Sequence, residues 1–169
     1  MKASWKAGVF AGLVLPTSMM ILAACGGSGD GAETAAVDAD PAMVEAAEAR
    51  EEGFKSLGRN FKTIKDNMDA GNAASDAALA AIDEVEVLAD DLPNWFPEGS
   101  GPETGTDTEA LPAIWEEPEA FQGKISDFQA AVTELGAAGE SGDAAAISAA
   151  FGNVGKTCGS CHDDFREDD

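Results

Sequence analysis

The hydrophobic positions of this chain recur at helical spacing from residue 40 onward. The first helix is predicted to begin at Asp40-Pro41, a capping residue followed by proline at the first helical position, and to end near Ala70-Gly71. Its inward positions alternate steps of four and three residues, which is the seam of a helix packed in a left-handed bundle. These positions are Met43, Ala47, Arg50, Phe54, Leu57, Phe61, Ile64 and Met68.

Three further segments show the same kind of pattern. A second helix is predicted over about residues 73–91, a third from near Pro118 to a close at Gly136 and Gly139, and a fourth from near residues 141–143. Their inward positions are Ala78, Ile82, Val85 and Leu88 or Ala89, then Phe121, Ile125, Phe128, Val132 and Leu135, then Ile147, Phe151, Val154, Cys158, Cys161 and Phe165. No segment shows the sustained alternation with period two that indicates a half-buried strand.

The links between the segments set the expected architecture. Short links join the first helix to the second and the third to the fourth, so each pair should form an antiparallel hairpin. Residues 92–115 form a long connection that is too apolar for a disordered loop. Its large apolar residues are Trp95, Phe96, Leu111, Ile114 and Trp115. The predicted fold is therefore all-α, an antiparallel four-helix bundle with one long crossover loop between helices two and three.

The first 24 residues are typical of a secretory signal peptide of the lipoprotein type. Lys2 and Lys6 precede a mostly apolar run, and Leu22-Ala23-Ala24 places small residues directly before Cys25. This arrangement resembles a bacterial lipobox, in which Cys25 is lipidated; a plain signal peptide with an incidental cysteine, or a short membrane anchor, is the alternative. Residues 25–39 are rich in glycine, small and acidic residues and predict a lipid-anchored flexible tether, followed by the bundle over residues 40–169.

Acidic residues dominate the charge of the chain, which is −22 overall. All 32 acidic residues and eight of the ten Lys and Arg follow the signal segment, so the part after it carries −24. This charge argues against nucleic acid as a partner and against electrostatic attraction to anionic lipid. An acidic surface resists aggregation, and the alternative interpretation is a docking face for a basic redox partner.

The segment Cys158-Gly159-Ser160-Cys161-His162 is the C-x-x-C-H haem attachment motif. Two thiols separated by two residues reach the two vinyl groups on one edge of a porphyrin, and the adjacent histidine is then placed under the iron. A zinc site requires four nitrogen or sulfur ligands, and His162 is the single histidine of the chain. A disulfide beside a chance histidine is the alternative for an exported protein. The sequence predicts one haem c, covalently bound through Cys158 and Cys161, with His162 as the iron ligand.

The position of the motif in the sequence limits which residues can ligate the iron on the side opposite His162. In common small electron carriers a methionine after the motif binds the iron, but residues 163–169 contain no methionine. A sixth ligand would therefore have to come from an earlier part of the chain. Met43 and Met68 are candidates by chemistry, although both also fit ordinary packing at the ends of the first helix.

Three segments in combination resemble the cytochrome c′ family. They are residues 154–166 around the motif, residues 50–58 on the first helix and residues 111–115 at the end of the crossover. The resemblance covers about Pro41 to Arg166 and implies a four-helix bundle, usually dimeric, so a homodimer is expected. It also implies a five-coordinate, high-spin haem iron that binds nitric oxide and carbon monoxide.

The resemblance assigns further residues to the haem site. Arg50 matches an arginine that contacts a haem propionate, which agrees with the anionic partner that a cation in an apolar seam needs; an arginine that reaches out to solvent is the alternative. Glu51 matches a polar neighbour of the haem. Phe54 matches the residue over the iron, where a phenyl ring blocks the sixth site without ligating, or it simply packs in the core. Arg166 matches an arginine on the histidine side, or lies at the surface among acids.

The expected function is that of a periplasmic c-type haem protein, not an enzyme, which binds small gases and takes part in nitric-oxide handling. A membrane-tethered electron carrier is the alternative, suggested by Cys25 and by the acidic surface. Peroxidase or nitric-oxide reductase chemistry has the least support, because no distal histidine or proton donor is evident near Phe54. The family often has lysine where this chain has Gly159, which lowers the positive charge at the haem edge.

Overall fold

Helices make up most of residues 39–167, the part of the chain that this computed structural model describes. They are α1 (Pro41–Asp69), α2 (Asp76–Asp91), the single turn α3 (Ala113–Glu116), α4 (Pro118–Ser141) and α5 (Ala144–Phe165). The described residues contain no strand, only an isolated bridge between Ala110 and Arg166. None of their helices has the length and apolar character needed to cross a membrane. The predicted signal peptide, Cys25 and all but the last residue of the predicted tether lie outside the described residues.

Capping side chains determine where three of the helices begin. Asp40, Ser75 and Asp143 accept hydrogen bonds from the backbone amides of Ala42, Ala78 and Ala145, at 2.9, 3.2 and 2.8 Å. The starts of α1 and α5 agree with the sequence prediction. α2 begins three residues later than predicted, because Ser75 is its N-cap and residues 70–75 form the turn.

α4 continues beyond the two glycines at which the sequence predicted its end. Gly136 and Gly139 are buried inside the helix, which ends before Gly142, a residue with φ of 68°. A Cβ atom on Gly139 would lie 3.4 Å from Ile82 of α2. These two glycines therefore let α4 approach α2 closely, and the left-handed conformation of Gly142 terminates the helix.

The four long helices pack as an antiparallel bundle around an aliphatic core. α1 packs against α2, α2 against α4, and α4 against α5. The antiparallel sense of the α2–α4 pair follows from two contacts: Gln129 donates to the carbonyl of Ala89 at 2.9 Å, whereas Gly139, further along α4, lies beside Ile82, earlier in α2. The largest fully buried side chains are Ile64, Ile82, Leu135, Ile147, Val85, Val132 and Val154. The predicted four-helix bundle with a long crossover is confirmed.

The crossover, residues 92–117, lies over the end of the bundle where α1 begins and α5 ends. It contains two short 3₁₀ turns, Leu92–Trp95 and Pro102–Thr104, in addition to α3. Its end is joined to α5 through the amide of Leu111, which donates to the carbonyl of Phe165 at 3.1 Å. Its aromatic residues pack on the core as expected from their apolar character. The crossover thereby closes the end of the bundle that contains the C-x-x-C-H motif.

Candidate haem site

The helices α1 and α5 enclose the candidate site. Of the four sides of the bundle, the side between these two helices is the least closely packed. They meet at Phe61 and Phe151, whose ring centroids are 5.9 Å apart in an edge-to-face arrangement. Because α5 is antiparallel to α4, α4 to α2 and α2 to α1, α5 also runs antiparallel to α1.

The Phe61–Phe151 contact fixes which residues of α1 and α5 lie at the same level. Seven residues before Phe61 is Phe54, and seven residues after Phe151 is Cys158. Equal steps along two antiparallel helices keep residues level with each other. The structure therefore brings Phe54 opposite the first cysteine of the motif. Arg50 lies eleven residues before Phe61, and His162 lies eleven residues after Phe151, so these two residues are also level with each other.

The motif occupies the last three turns of α5. Cys158 and Cys161 are free thiols, half-buried against the hydrophobic core. Burial raises the pKa of both thiols, and for Cys161 the positive charge of Lys124 opposes this rise. Partial desolvation of the ring and then the charge of Arg166 lower the pKa of His162, which favours the neutral imidazole that ligates a metal ion.

Phe54 belongs to a continuous row of aromatic rings beneath the opening. Its side chain is 41% exposed, which is unusual for a phenylalanine on the inward seam of a helix. Its ring lies edge-on to Trp95 at 5.2 Å and 6.1 Å from Phe96. Phe96 contacts Phe121 at 4.8 Å, and Phe121 contacts Phe165 at 5.2 Å. Phe54, Phe96, Phe121 and Phe165 thus form an aromatic wall that leads from α1 to the end of α5.

Arg50 is buried, and its guanidinium holds the crossover in place. One terminal nitrogen donates to the carbonyl of Trp95 at 3.2 Å and to Ser100 Oγ at 3.0 Å. The other donates to the carbonyl of Ser100 at 2.9 Å and to Thr108 Oγ1 at 3.1 Å. Burial lowers the pKa of the guanidinium, an effect that the charge of Glu103 opposes. The alternative of an arginine that reaches out to solvent is wrong, because the side chain is only 4% exposed.

The remaining predicted site residues, Glu51 and Arg166, both form ion pairs with neighbouring side chains. Glu51 is exposed and pairs with Lys55 at 2.7 Å. Arg166 follows the last residue of α5, and its Nε donates to Glu109 of the crossover at 2.6 Å. Arg166 is therefore fixed beside His162, since its own backbone amide donates to the carbonyl of His162 at 3.1 Å.

Met43 and Met68, the two candidate sixth ligands, lie far from the level of the motif. Met43 is seven residues before Arg50, which is level with His162, and Met68 is fourteen residues after Phe54, which is level with Cys158. These separations correspond to roughly 10 and 21 Å along the helix axis at about 1.5 Å per residue. Met43 packs beside Gly99 of the crossover, and Met68 packs on the core. Both methionines have the packing role that the sequence gave as their alternative.

The sequence did not reveal Lys124 as part of this site. Its ammonium group donates to the carbonyl of Ser160 at 3.0 Å and to Ser160 Oγ at 2.7 Å, inside the motif. It also pairs with Asp164 at 2.7 Å. Lys124 is the single basic residue of α4, and a lone cation next to the inward seam of an acidic helix is the only signal that could have indicated it.

The arrangement of these side chains fits a covalently attached haem. Two free thiols and a neutral imidazole on the last turns of one helix are the donor set that a c-type haem requires. The opening beside them is bordered by the aromatic wall, which suits the apolar faces of a porphyrin. In the described part of the chain, no group of three or more His, Cys, Asp or Glu side chains is placed to hold a metal ion.

Comparison with known proteins gives consistent matches. A family model described as Cytochrome C′ matches residues 45–166. Cytochrome c-554 of Cereibacter sphaeroides is 44% identical over 77 residues, which are 46% of this chain and 57% of that protein. The chain thus spans about half the length of the curated relatives it matches.

Solved structures match over more of the chain. The crystal structure of cytochrome c′ from Rubrivivax gelatinosus is 35% identical, with a TM-score of 0.66, and covers 74% of this chain and 97% of that one. A nitric oxide complex of a variant of cytochrome c prime from Alcaligenes xylosoxidans is 26% identical, with the same TM-score of 0.66, over 75% of this chain and 97% of that one.

The family match begins in the first turns of α1 and ends at Arg166, directly after α5. It therefore includes the opening between these helices, the crossover and the complete C-x-x-C-H motif. The resemblance that three short segments predicted is confirmed over nearly the whole bundle. This chain belongs to the cytochrome c′ family.

Proposed function

We propose that the chain holds one haem c through thioether bonds from Cys158 and Cys161, with His162 as the only protein ligand of the iron. When bound, the haem supplies an iron atom that accepts a small sixth ligand. The support is the position of both free thiols on the core side of α5 and the lowered pKa of His162, which favours the ligating form of the ring.

The iron is five-coordinate and high-spin in this proposal. The observation that carries it is the position of Phe54 on α1, opposite Cys158 of the motif. A phenyl ring at this position cannot ligate iron. The neighbours of Phe54 on the same seam, Arg50 and Leu57, supply no ligand either. With no hydrogen-bond donor on Phe54, an anionic ligand gains little, whereas a small neutral diatomic enters when the ring moves aside.

The ligands are therefore nitric oxide and carbon monoxide, and the role is nitric-oxide handling by binding rather than by catalysis. The nitric oxide complex of the relative from Alcaligenes xylosoxidans supports this ligand class. The single histidine of the chain is taken as the iron ligand, so no distal histidine is left to act as a general acid or base on a bound substrate.

Three charged residues have supporting roles in the proposal. Arg50, at the level of His162, has its Nε–H left to donate to a haem propionate while its terminal nitrogens hold the crossover. Arg166 shapes the pocket on the histidine side from its position beside Glu109. Glu51 is the weakest of the three assignments, because its carboxylate is exposed and engaged with Lys55.

Localisation in the periplasm, lipidation at Cys25 and assembly as a homodimer complete the proposal. The first two depend on residues 1–38, outside the described part of the chain. A tethered electron carrier depends on the same residues for its tether, and on the acidic surface for a basic redox partner. The geometry of the described site favours gas binding over that alternative, because nothing on the seam around Phe54 supplies the second axial ligand typical of electron carriers.

An absorption spectrum of the reduced holoprotein tests the proposal. A broad high-spin spectrum that changes on addition of carbon monoxide is expected, whereas a sharp low-spin α-band without added ligand would contradict it. Mass spectrometry of the C-terminal peptide checks the attachment, with a haem adduct expected on the peptide that contains Cys158 and Cys161. Single substitutions Cys158→Ala and Cys161→Ala should each leave one thioether bond and alter the haem spectrum of denatured protein.

A further inference from the structure

The end of α5 that carries the motif is a weak piece of helix by its own sequence. Gly155 and Gly159 lie within it. Each glycine disfavours helix relative to alanine. Two carboxylates, Asp163 and Asp164, lie in the last turn, where the negative end of the helix dipole repels them.

Lys124 compensates for these features from the neighbouring helix. Its ammonium group adds a hydrogen bond to the carbonyl of Ser160, the residue that precedes Cys161, and a second to the hydroxyl of the same residue. It neutralises Asp164 through an ion pair of 2.7 Å. The side chain of Lys124 is only 25% exposed, so these three contacts are better shielded from solvent and salt than those of a surface lysine.

The three contacts surround the iron ligand on its own helix. Ser160 lies two residues before His162 and Asp164 two residues after it. A cation bonded to both sides of a single turn restricts the motion of that turn, and its charge lies beside the cysteine that would carry a thioether.

We infer that Lys124 is a positioning residue for the haem, which holds the turn of α5 carrying Cys161 and His162 and raises the reduction potential of the iron. This inference rests on the proposed function, since it assumes a haem bound at the motif. The sign follows from electrostatics: one-electron reduction of ferric to ferrous iron adds a negative charge, which a nearby cation stabilises. Removal of Lys124 would also leave Asp164 unpaired, and both changes favour ferric iron.

The substitution Lys124→Gln in the holoprotein tests the inference with two measurements. Hydrogen exchange of the backbone amides of residues 162–165 should become roughly tenfold faster, the factor expected when about one charge-assisted hydrogen bond to a locally opening turn is lost. The reduction potential, measured by spectroscopic redox titration, should shift to a lower value. Lys124→Arg keeps the charge and the donors and should restore both quantities toward those of the unsubstituted protein.

Lys62→Gln is the matched control, because it removes the same charge from an ion pair with Asp66 on α1. It should change neither measurement. The inference is overturned if Lys124→Gln leaves the potential unchanged, or if Lys62→Gln shifts it by the same amount. If the protein carries no covalent haem at all, the proposed function fails, whereas unaltered exchange of residues 162–165 in Lys124→Gln would reject the positioning role independently.

Discussion

Phe54 is the residue on which the proposed gas binding depends most directly. It lies on the inward seam of α1, yet its side chain is 41% exposed. Its contacts with Trp95 and Phe96 are confined to ring edges at 5.2 and 6.1 Å. The ring is therefore held against the crossover, and residue 54 determines which side chain lies opposite Cys158.

Phe54→Met should convert the iron from five-coordinate to six-coordinate. A thioether sulfur at the level of Cys158 can ligate the iron opposite His162, as it does in cytochromes with Met/His ligation. The reduced spectrum should gain a sharp low-spin α-band, and carbon monoxide affinity should fall by at least about tenfold, which corresponds to about 1.4 kcal/mol.

Phe54→Leu is the control for that substitution. It removes the ring without supplying a ligand, so the spectrum should stay high-spin while carbon monoxide binds faster. A high-spin spectrum in Phe54→Met, with affinity equal to that of Phe54→Leu, would show that residue 54 does not lie over the iron.

Arg50→Met should destabilise the fold even in protein without haem. The substitution removes four hydrogen bonds and leaves the carbonyl oxygen of Ser100, a residue that is 0% exposed, without these donors, whereas the Ser100 hydroxyl keeps its bond to the carbonyl of Pro97. Buried acceptors without partners cost about 1–3 kcal/mol each, so a loss of about 2–4 kcal/mol in urea unfolding is expected. Arg59→Met, at an exposed position of the same helix, should change stability by less than about 0.5 kcal/mol.

At the scale of the helices, the sequence predicted what depends on periodicity and capping. The seams of α1, α4 and α5 and the capped starts of α1 and α5 agree with the structure. The prediction was wrong at Gly136 and Gly139, because a glycine inside a helix and a glycine after its end look alike in a sequence. Gly136 and Gly139 lie inside α4 because α2 approaches the helix closely at these positions. This contact joins residues far apart in the sequence, so the local pattern does not reveal it.

The same limit explains which parts of the site the sequence missed. The five residues of the motif are consecutive, so they can be recognised from the sequence alone. Lys124 and Ser160 are 36 residues apart, and Arg50 and Thr108 are 58 residues apart. Only the packing of α4 on α5, and of the crossover on α1, brings these polar groups together, and no spacing along the chain encodes it.

Gly53→Ala should weaken the packing of α1 against the crossover. A Cβ atom at this position would lie 2.6 Å from the ring of Trp95. That ring cannot easily move away, since its Nε1 donates to Asp91 at 2.8 Å and Phe54 contacts it from another side. The steric cost of about 1–3 kcal/mol should exceed the gain of up to about 1 kcal/mol in helix propensity.

Gly123→Ala provides the comparison for this helix effect. Gly123 is exposed on α4, and a Cβ atom there would meet nothing within 4 Å. This substitution should stabilise the protein by up to about 1 kcal/mol in urea unfolding, because only helix propensity changes. Stabilisation of similar size by Gly53→Ala would mean that Trp95 does not pack against α1 in solution.

For the whole molecule, the dominant electrostatic fact is the excess of negative charge. The net charge of −22 favours solubility but destabilises the compact state through self-repulsion. One place where this repulsion acts is the contact of α2 with α4. There the carboxylate of Glu86 lies against Gly136, and Asp83, Asp90 and Glu140 raise its pKa in addition to the larger effect of burial.

Glu86→Gln should therefore stabilise the protein at pH 7. A carboxyl group with a raised pKa in the folded state disfavours folding when it is ionised, and this penalty disappears as the pH falls through the folded pKa toward the ordinary value of 4.5. The stabilisation measured by urea unfolding should thus be present at pH 7 and vanish near pH 4. Glu84→Gln, on the exposed side of the same helix, controls for the change in net charge.

Added salt separates the two causes of the raised pKa of Glu86. Repulsion from Asp83, Asp90 and Glu140 is screened at high ionic strength, because the Debye length falls to about 3 Å at 1 M salt. Desolvation of the carboxylate against Gly136 is not screened. Since desolvation is the larger cause, most of the stabilisation by Glu86→Gln should persist in 1 M salt, whereas the smaller effect of Glu84→Gln should disappear. If both effects disappear together, repulsion across the acidic surface, rather than the close contact of α2 with α4, sets the charge-dependent part of the stability.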